Sequence, residues 1–424
     1  MTPHLAAHIV TETDTVLLVG TLDTKGAELQ FVAERLKALG CRVLTVDVGV
    51  MGHPCFAADI SRNEVAVAAG ASVDALAAAG DRGAAIETMA RGGAIVVRAL
   101  FAERRFSAAM AIGGSGGASI AATALGVLPV GVPKLIVSTV VAGDTRPFIG
   151  DADFTLMYPV VDIAGINSFS ERVLSNAAAA IAGMAKARWP VSDVRPGRPV
   201  IGLTMFGITT PCVDRVRHLL ALKGYDSLVF SANGIGGQSM ERLIHEGQIG
   251  GVVDITTTEF ADLLVGGICP ATDRRLEAAG DRGIPQVLSV GGLDVVNFGP
   301  WDTVPQCFRD RKLYRHNSAV TLMRTSATEA AELGRMIGAK LARGRGRRCI
   351  VLPLRGLSSL SAPGKPFHDP EADQALFSAL RGALPESVEV VELDTDINDP
   401  AVAAALAEHF DAAYRSTAAE QHAE

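Results

Sequence analysis

The chain has 424 residues, 48% of them apolar, 20% charged and 5% aromatic, with a formal net charge of −7. That length suffices for two or three domains, and the Ala- and Gly-rich balance suits a soluble α/β protein rather than an all-β or disordered one. Net acidity without a long basic run argues against nucleic acid as the main ligand, because phosphate binding needs concentrated positive charge.

In chain order, "TVLLVG" (15–20) is a compact β-rich run leading into the turn "TLDTKG". Leu29, Val32, Leu36 and Leu39 then share one helical face, Gly40 ends that helix, and "RVLTVDVGV" (42–50) is a second strand. Strand, helix, strand is a βαβ unit, which requires a parallel sheet. Apolar strands are expected at "GGAIVVRAL", "FSAAMAIGG", "PKLIVSTVV" and "FTLMYPVV", followed by a helix over 166–187. Continuous rather than alternating apolar runs fit a sheet covered on both faces.

The Pro-rich segment 188–200 then interrupts the pattern. It predicts a domain over 1–189, a linker over 190–197 and a second domain over 198–424. Past the linker the pattern restarts with strand, turn, helix, Gly224 and strand. A shift of 184 residues lays Val16 on Val200, Gly40 on Gly224 and Asp47 on Ser231. Further strands are expected at "GGVVDITTTEF", "PQVLSVGGLDVVNF", "RCIVLPLRG" and "VEVVELD", with helices over 326–343 and near 400–409 and a frayed "STAAEQHAE" end. Arg343 to Arg348 reads as an exposed loop. The expected fold class is α/β: two Rossmann-like domains, each a mainly parallel sheet with helices on both faces.

Six cysteines (Cys41, Cys55, Cys212, Cys269, Cys307, Cys349) lie far apart, with no C-x-x-C pair, so no zinc ribbon or redox dithiol is signalled. Free thiols, no recognisable secretory leader and no apolar run long enough to span a bilayer predict a cytoplasmic protein without a membrane partner.

In open parallel sheets, ligands collect at the carboxyl ends of strands. The first domain offers "GTLDTKG", with Gly20, Thr21, Asp23, Thr24 and Lys25; Asp47, after the second strand; and "GGSGG", Gly113, Gly114, Ser115, Gly116 and Gly117. Glycines admit a phosphate to the backbone, the helix amino terminus supplies N–H donors, and Ser115, Ser119 and Lys25 add polar contacts. Asp47 is placed for a ribose, and Ser138, Thr139 and Thr145 in "STVVAGDT" extend the set. The loop is neither a Walker A motif nor a complete dinucleotide fingerprint, so tight strand-to-helix packing remains a competing explanation. In the second domain the candidate catalytic groups are Asp254, Glu259, His316, Arg355 and His368, with Ser358, Ser361 and Asp369 nearby in sequence. Carboxylates with a histidine suit general acid–base work or a divalent cation, yet no established catalytic motif contains them, and no metal cluster is firmly indicated.

Eight segments in order, "VGTLDTKGAEL", "GGSGGASIAA", "LPVGVPKLIVSTV", "NAAAAIAGM", "TMFGITTPCV", "DITTTEFAD", "HNSAVTLMRT" and "LPLRGLSSLSAPGKPFHDPEA", resemble the ATP-binding family that includes the amino-terminal half of the tomato mosaic virus resistance protein. The resemblance implies two Rossmann-like subdomains, ATP binding and a homodimer. With ATP as ligand, the loops place its phosphates on 113–117 and 20–26, with Mg²⁺ if phosphoryl groups are transferred. This chain departs at Ala118, where the family commonly carries Thr, and at Ser231, where a histidine is expected. Two functional expectations follow: an ATP-dependent enzyme acting on a small acid in a cleft between domains, or a dimeric nucleotide sensor without turnover. An NAD-dependent dehydrogenase ranks below both.

Overall fold

The computed structural model describes residues 14–187 and 197–423, the side chains of 421–423 excepted. These form two compact units. The expected linker lies, but for its last residue, outside the described residues, as does most of the opening segment.

The first unit runs β1 (Thr15–Gly20), α1 (Gly26–Ala38), β2 (Arg42–Asp47), α2 (Arg62–Ala68), α3 (Val73–Ala79), α4 (Arg82–Ala102), β3 (Ala108–Ile112), α5 (Ser115–Gly126), β4 (Lys134–Val137), α6 (Arg146–Ile149), β5 (Thr155–Met157) and α7 (Ser168–Lys186). Its strands form one parallel sheet in the order β2-β1-β3-β4-β5. Alternate residues of β1 divide between two cores. Val16 and Leu18 pack with α1 and α7, while Leu17 and Val19 pack with α4 and α5. Each such fully buried aliphatic side chain contributes roughly 1.5–3 kcal/mol, so β1 is anchored from both faces.

The expected strand at "GGAIVVRAL" is corrected: it lies within α4. Met89, Gly93, Val97 and Leu100 are buried at helical spacing, whereas Ile95 is exposed. A Cβ on Gly92 would stand 2.1 Å from the Val65 carbonyl oxygen. The glycines therefore let a helix pack closely rather than punctuate a strand.

The second unit runs β6 (Val200–Met205), α8 (Thr210–Leu222), β7 (Asp226–Ser231), α9 (Ile235–His245), β8 (Gly251–Thr256), α10 (Glu259–Val265), α11 (Ala278–Arg282), β9 (Gln286–Gly291), β10 (Val295–Phe298), β11 (Leu313–Arg315), β12 (Thr321–Arg324), α12 (Ala327–Arg343), β13 (Arg348–Pro353), α13 (Pro370–Ala383), β14 (Val388–Leu393) and α14 (Pro400–Ala423). A six-stranded parallel sheet has the order β14-β13-β9-β8-β6-β7. One core lies under α8 and α14, the other under α12 and α13. The 184-residue shift carries α1 onto α8 and β2 onto β7 without a gap.

Two sequence expectations change here. "PQVLSVGGLDVVNF" is two strands in different sheets, because the chain turns at Gly292 (φ +77°), and β10 joins an antiparallel β10-β12-β11 sheet. The carboxy-terminal segment continues as helix to Ala423 instead of ending near 409.

Candidate functional site

In the first sheet, β1 connects to β2 on one side and lies beside β3 on the other. This strand order reverses direction between β1 and β3, the topological switch point at which open α/β sheets hold ligands. The loop after β1 and the glycine loop after β3 are neighbours at that edge, since Val19 pairs with Ala111. The loop after β4 joins them, because Ile112 pairs with Val137 and the Gly113 N–H donates to the Val137 carbonyl at 3.1 Å.

The structure separates the glycines of this loop by what surrounds them. Gly113 is a packing glycine: a Cβ there would stand 2.8 Å from Gly117 Cα. Gly114 faces open space and is the N-cap of α5, with no side chain accepting from the first turn. The N–H groups of Ser115, Gly116 and Gly117 have no acceptor among the described residues, and the first backbone bond is Ala118 N–H to the Gly114 carbonyl. Ser115 is exposed. The Arg82 guanidinium lies 3.7 Å from where a Gly116 Cβ would stand; Arg82 is exposed and in no ion pair among the described residues. A helix amino terminus carries partial positive charge, so a neighbouring cation without a counterion favours an anion there.

The residues after β1 and β2 are more committed. Gly20 packs on Leu29, and the Thr21 and Thr24 hydroxyls bond each other at 2.6 Å. Lys25 Nζ donates to the Ile163 carbonyl rather than standing free. Asp47, expected to meet a ribose, is 2% exposed. Its oxygens accept from Leu22 N–H, Gly49 N–H and Arg62 Nε at 3.1, 2.9 and 2.7 Å. Asp47 thus ties three chain segments together. Arg62 also sits 3.5 Å from Asp23. Burial pushes the Asp23 carboxyl above its usual range; Arg62 opposes the shift and Asp47 adds to it. Asp23 Oδ1 and Arg62 Nη2 are buried without hydrogen-bond partners among the described residues, at a cost of about 1–3 kcal/mol for each such group. Ser138 caps a short 3₁₀ turn (Thr139–Ala142) by accepting from Val140 N–H at 3.3 Å. Thr145 begins α6 beside the exposed Asp144–Arg146 pair.

The second sheet repeats the reversal between β6 and β8. Of the five candidate catalytic residues, the structure brings Asp254 and Glu259 together, both fully buried, on a residue the sequence reading missed. Arg275 donates to Asp254 at 2.5 and 2.8 Å, to Glu259 at 2.7 Å and to Glu241 at 3.2 Å. Thr204 donates to Asp254, and the Gly234 and Gly237 N–H groups donate to Glu259. Burial raises the Glu241 and Glu259 pKa values against the pull of Arg275. For Arg275 itself burial works against the charge, but Asp254 and Glu259 outweigh it and hold the guanidinium protonated. A Cβ at Gly237 would stand 2.5 Å from Glu259. Asp262, on α10 near this cluster, is pushed up to about 7 by burial, despite hydrogen bonds from Asn297 and Cys269.

The other three candidates are separate. Arg355 forms an exposed bidentate pair with Asp394 at 2.6 and 2.7 Å. His316 is exposed, its N–H on the Val320 carbonyl. His368 Nδ1 lies 3.1 Å from the Ser361 carbonyl. Ser358 donates to the buried Asp294, Ser361 accepts from Leu357 and Ser358 N–H, and Asp369 caps α13. The long polar loop is thus pinned by its own side chains and by Arg324, which donates to the Phe367 carbonyl and to Asp373. Arg62, Arg82 and Arg275 carried no motif, and Arg324 lay in "HNSAVTLMRT" without an assigned role; each acquires its meaning from neighbours distant in sequence.

Two family models match, the amino-terminal domain of the uncharacterised protein family UPF0261 over residues 14–190 and its carboxy-terminal domain over 198–414. The chain belongs to the UPF0261 family. It is 46% identical over 393 residues to a UPF0261 protein of Clostridium tetani, covering 92% of this chain and 97% of that protein. A Mesorhizobium japonicum member is 45% identical over 402 residues, covering 94% and 99%. The tomato (Solanum lycopersicum) ToMV resistance protein Tm-1 is 40% identical over 415 residues, covering 93% of this chain and 55% of that longer protein. The expected kinship with the tomato protein is therefore established. Among the described residues, no helix is long and apolar enough to cross a membrane.

Proposed function

We propose that this family member binds ATP at the β1/β3 edge of its first unit, with the phosphates on the amino terminus of α5. The observation that carries the reading is the uncapped first turn at Ser115–Gly117, beside a guanidinium without a counterion among the described residues. The residues fit the group: three N–H donors and Arg82 match phosphate oxygens, and Gly114 leaves open space for their approach. Asp23, whose Oδ1 lacks a partner among the described residues, is the carboxylate of this edge suited to Mg²⁺ arriving with the phosphates. A homodimer, implied by the family resemblance, belongs to the same proposal and is checked by sedimentation; the cytoplasmic location expected from the free thiols stands beside it.

Nucleotide sensing is favoured over turnover by Asp254 and Glu259, because both carboxylates are engaged by Arg275 and are not poised as acid or base. Phosphate release from ATP in the presence of small acids would restore the enzyme reading.

Gly114→Asp tests the site. Gly114 has φ −73° and ψ −160°, which any residue can adopt, so aspartate there would cap α5 and place a carboxylate where the phosphate is expected. The fold should be unchanged or stabilised by a few tenths of a kcal/mol, while calorimetric titration should find ATP binding in the parent and none in the variant. Equal affinity in both proteins would overturn the assignment.

A further inference from the structure

We infer that Cys349, Glu389 and His409 form a transition-metal site of the zinc class on the second unit. Cys349 on β13 and Glu389 on β14 are register partners in the parallel sheet, so their side chains leave the same face. That face is covered by α14, which brings His409 over them, and the three ligand atoms lie within 4.8 Å of one another. His409 Nδ1 is 3.2 Å from Glu389 Oε1.

That distance matches a coordination edge. Zinc bonds of about 2.0–2.1 Å to nitrogen and oxygen at the tetrahedral angle set an N···O edge of roughly 3.3 Å, and a bond of about 2.3 Å to sulfur sets an S···N edge of roughly 3.6 Å. The histidine–glutamate edge is therefore at coordination spacing already, and a small rotation of the cysteine closes the triangle. The donor set is also selective. Thiolate and imidazole prefer zinc and its soft neighbours, whereas Mg²⁺ and Ca²⁺ take oxygen ligands. Cys349 is 3% exposed, while the Glu389 and His409 side chains are 59% and 30% exposed. An ion can thus enter from the solvent side and keep a water or other donor in a fourth position.

Burial pushes the free Cys349 thiol up to about 12, with Glu389 adding to the shift. As the metal–sulfur bond forms, the thiol proton passes to the buffer. The bound ion would fasten α14 to the β13–β14 end of the sheet.

The test uses the full chain, metal-stripped and kept reduced, titrated with Zn²⁺ by calorimetry and with Co²⁺ by absorption. We expect one equivalent of metal and a thiolate-to-cobalt charge-transfer band. Cys349→Ser should abolish the band. His409→Ala should weaken Zn²⁺ at least about a hundredfold, since even outer-shell changes cost 10–100-fold. Glu389→Gln should weaken zinc while keeping the band, and Cys212→Ser, a buried thiol on α8, should change neither. His409 and Glu389 keep the test decisive if Cys349→Ser misfolds. A parent protein that takes up no metal, or a band that survives Cys349→Ser or affinity that survives His409→Ala, would overturn the assignment.

Discussion

The two parallel sheets reverse strand order in the same way, yet their switch-point edges are finished oppositely. At β1/β3 polar groups are left over among the described residues: an uncapped first turn on α5, an uncountered Arg82, and buried Asp23 and Arg62 atoms without partners. Around β8 they are consumed, with Asp254, Glu259 and Glu241 converging on Arg275 and further held by Thr204 and backbone N–H groups. Topology marks where a ligand can sit, but the state of the donors and acceptors decides whether the edge awaits one. Unspent hydrogen-bonding capacity is what a ligand could engage, and a closed buried network has little left to offer one.

The strongest way to break this contrast is Arg275→Met. If the β8 network is structural, three buried carboxylates lose their common partner, and unfolding stability should fall by about 3–5 kcal/mol in a denaturant titration. A folded variant of parental stability that had lost a ligand would return Asp254 and Glu259 to the catalytic list.

Asp262 provides the next test through pH. Its folded carboxyl is held near 7, against an ordinary value of 3.8, so the folded state holds the proton more tightly than the unfolded chain does. The associated stability is present in full below the unfolded value, declines as pH rises from about 4 to 7, and then levels off. Asp373, held near 6 by burial, adds to the lower part of the same slope. Asp262→Asn should remove on the order of a few kcal/mol of that pH dependence, most clearly between pH 6 and 7. An unchanged unfolding profile would mean that Asp262 is not held protonated.

Two smaller effects sharpen the other edge. Arg82→Ala should leave thermal unfolding unchanged but weaken ATP binding by about tenfold, with a reduced salt dependence. Arg355→Ala should alter neither, because its pair with Asp394 is solvent-exposed and such pairs contribute little. Loss of ligand binding in Arg355→Ala would bring the polar loop of the second unit into the site.

By itself the sequence determined the α/β class, most strands, the βαβ openings of both units and the loops that end at the first sheet's carboxyl edge. These are properties of local periodicity and turn chemistry: continuous apolar runs, heptad-like helical faces, and glycines at helix ends. The helix covering "GGAIVVRAL" and the break at Gly292 escaped it, because a short apolar run is compatible with helix or strand until its neighbours are known. In α4 the close approach to Val65 selects helix; at Gly292 a positive φ splits one apolar stretch between two sheets. The tertiary structure alone decided which polar residues are spent and which are spare. Arg62 reaches Asp23 and Asp47, Arg275 gathers Glu241, Asp254 and Glu259, and Cys349 meets Glu389 and His409 across separate elements. Electrostatic and coordinating interactions act through distances of a few ångströms in space, and only the folded chain sets those distances.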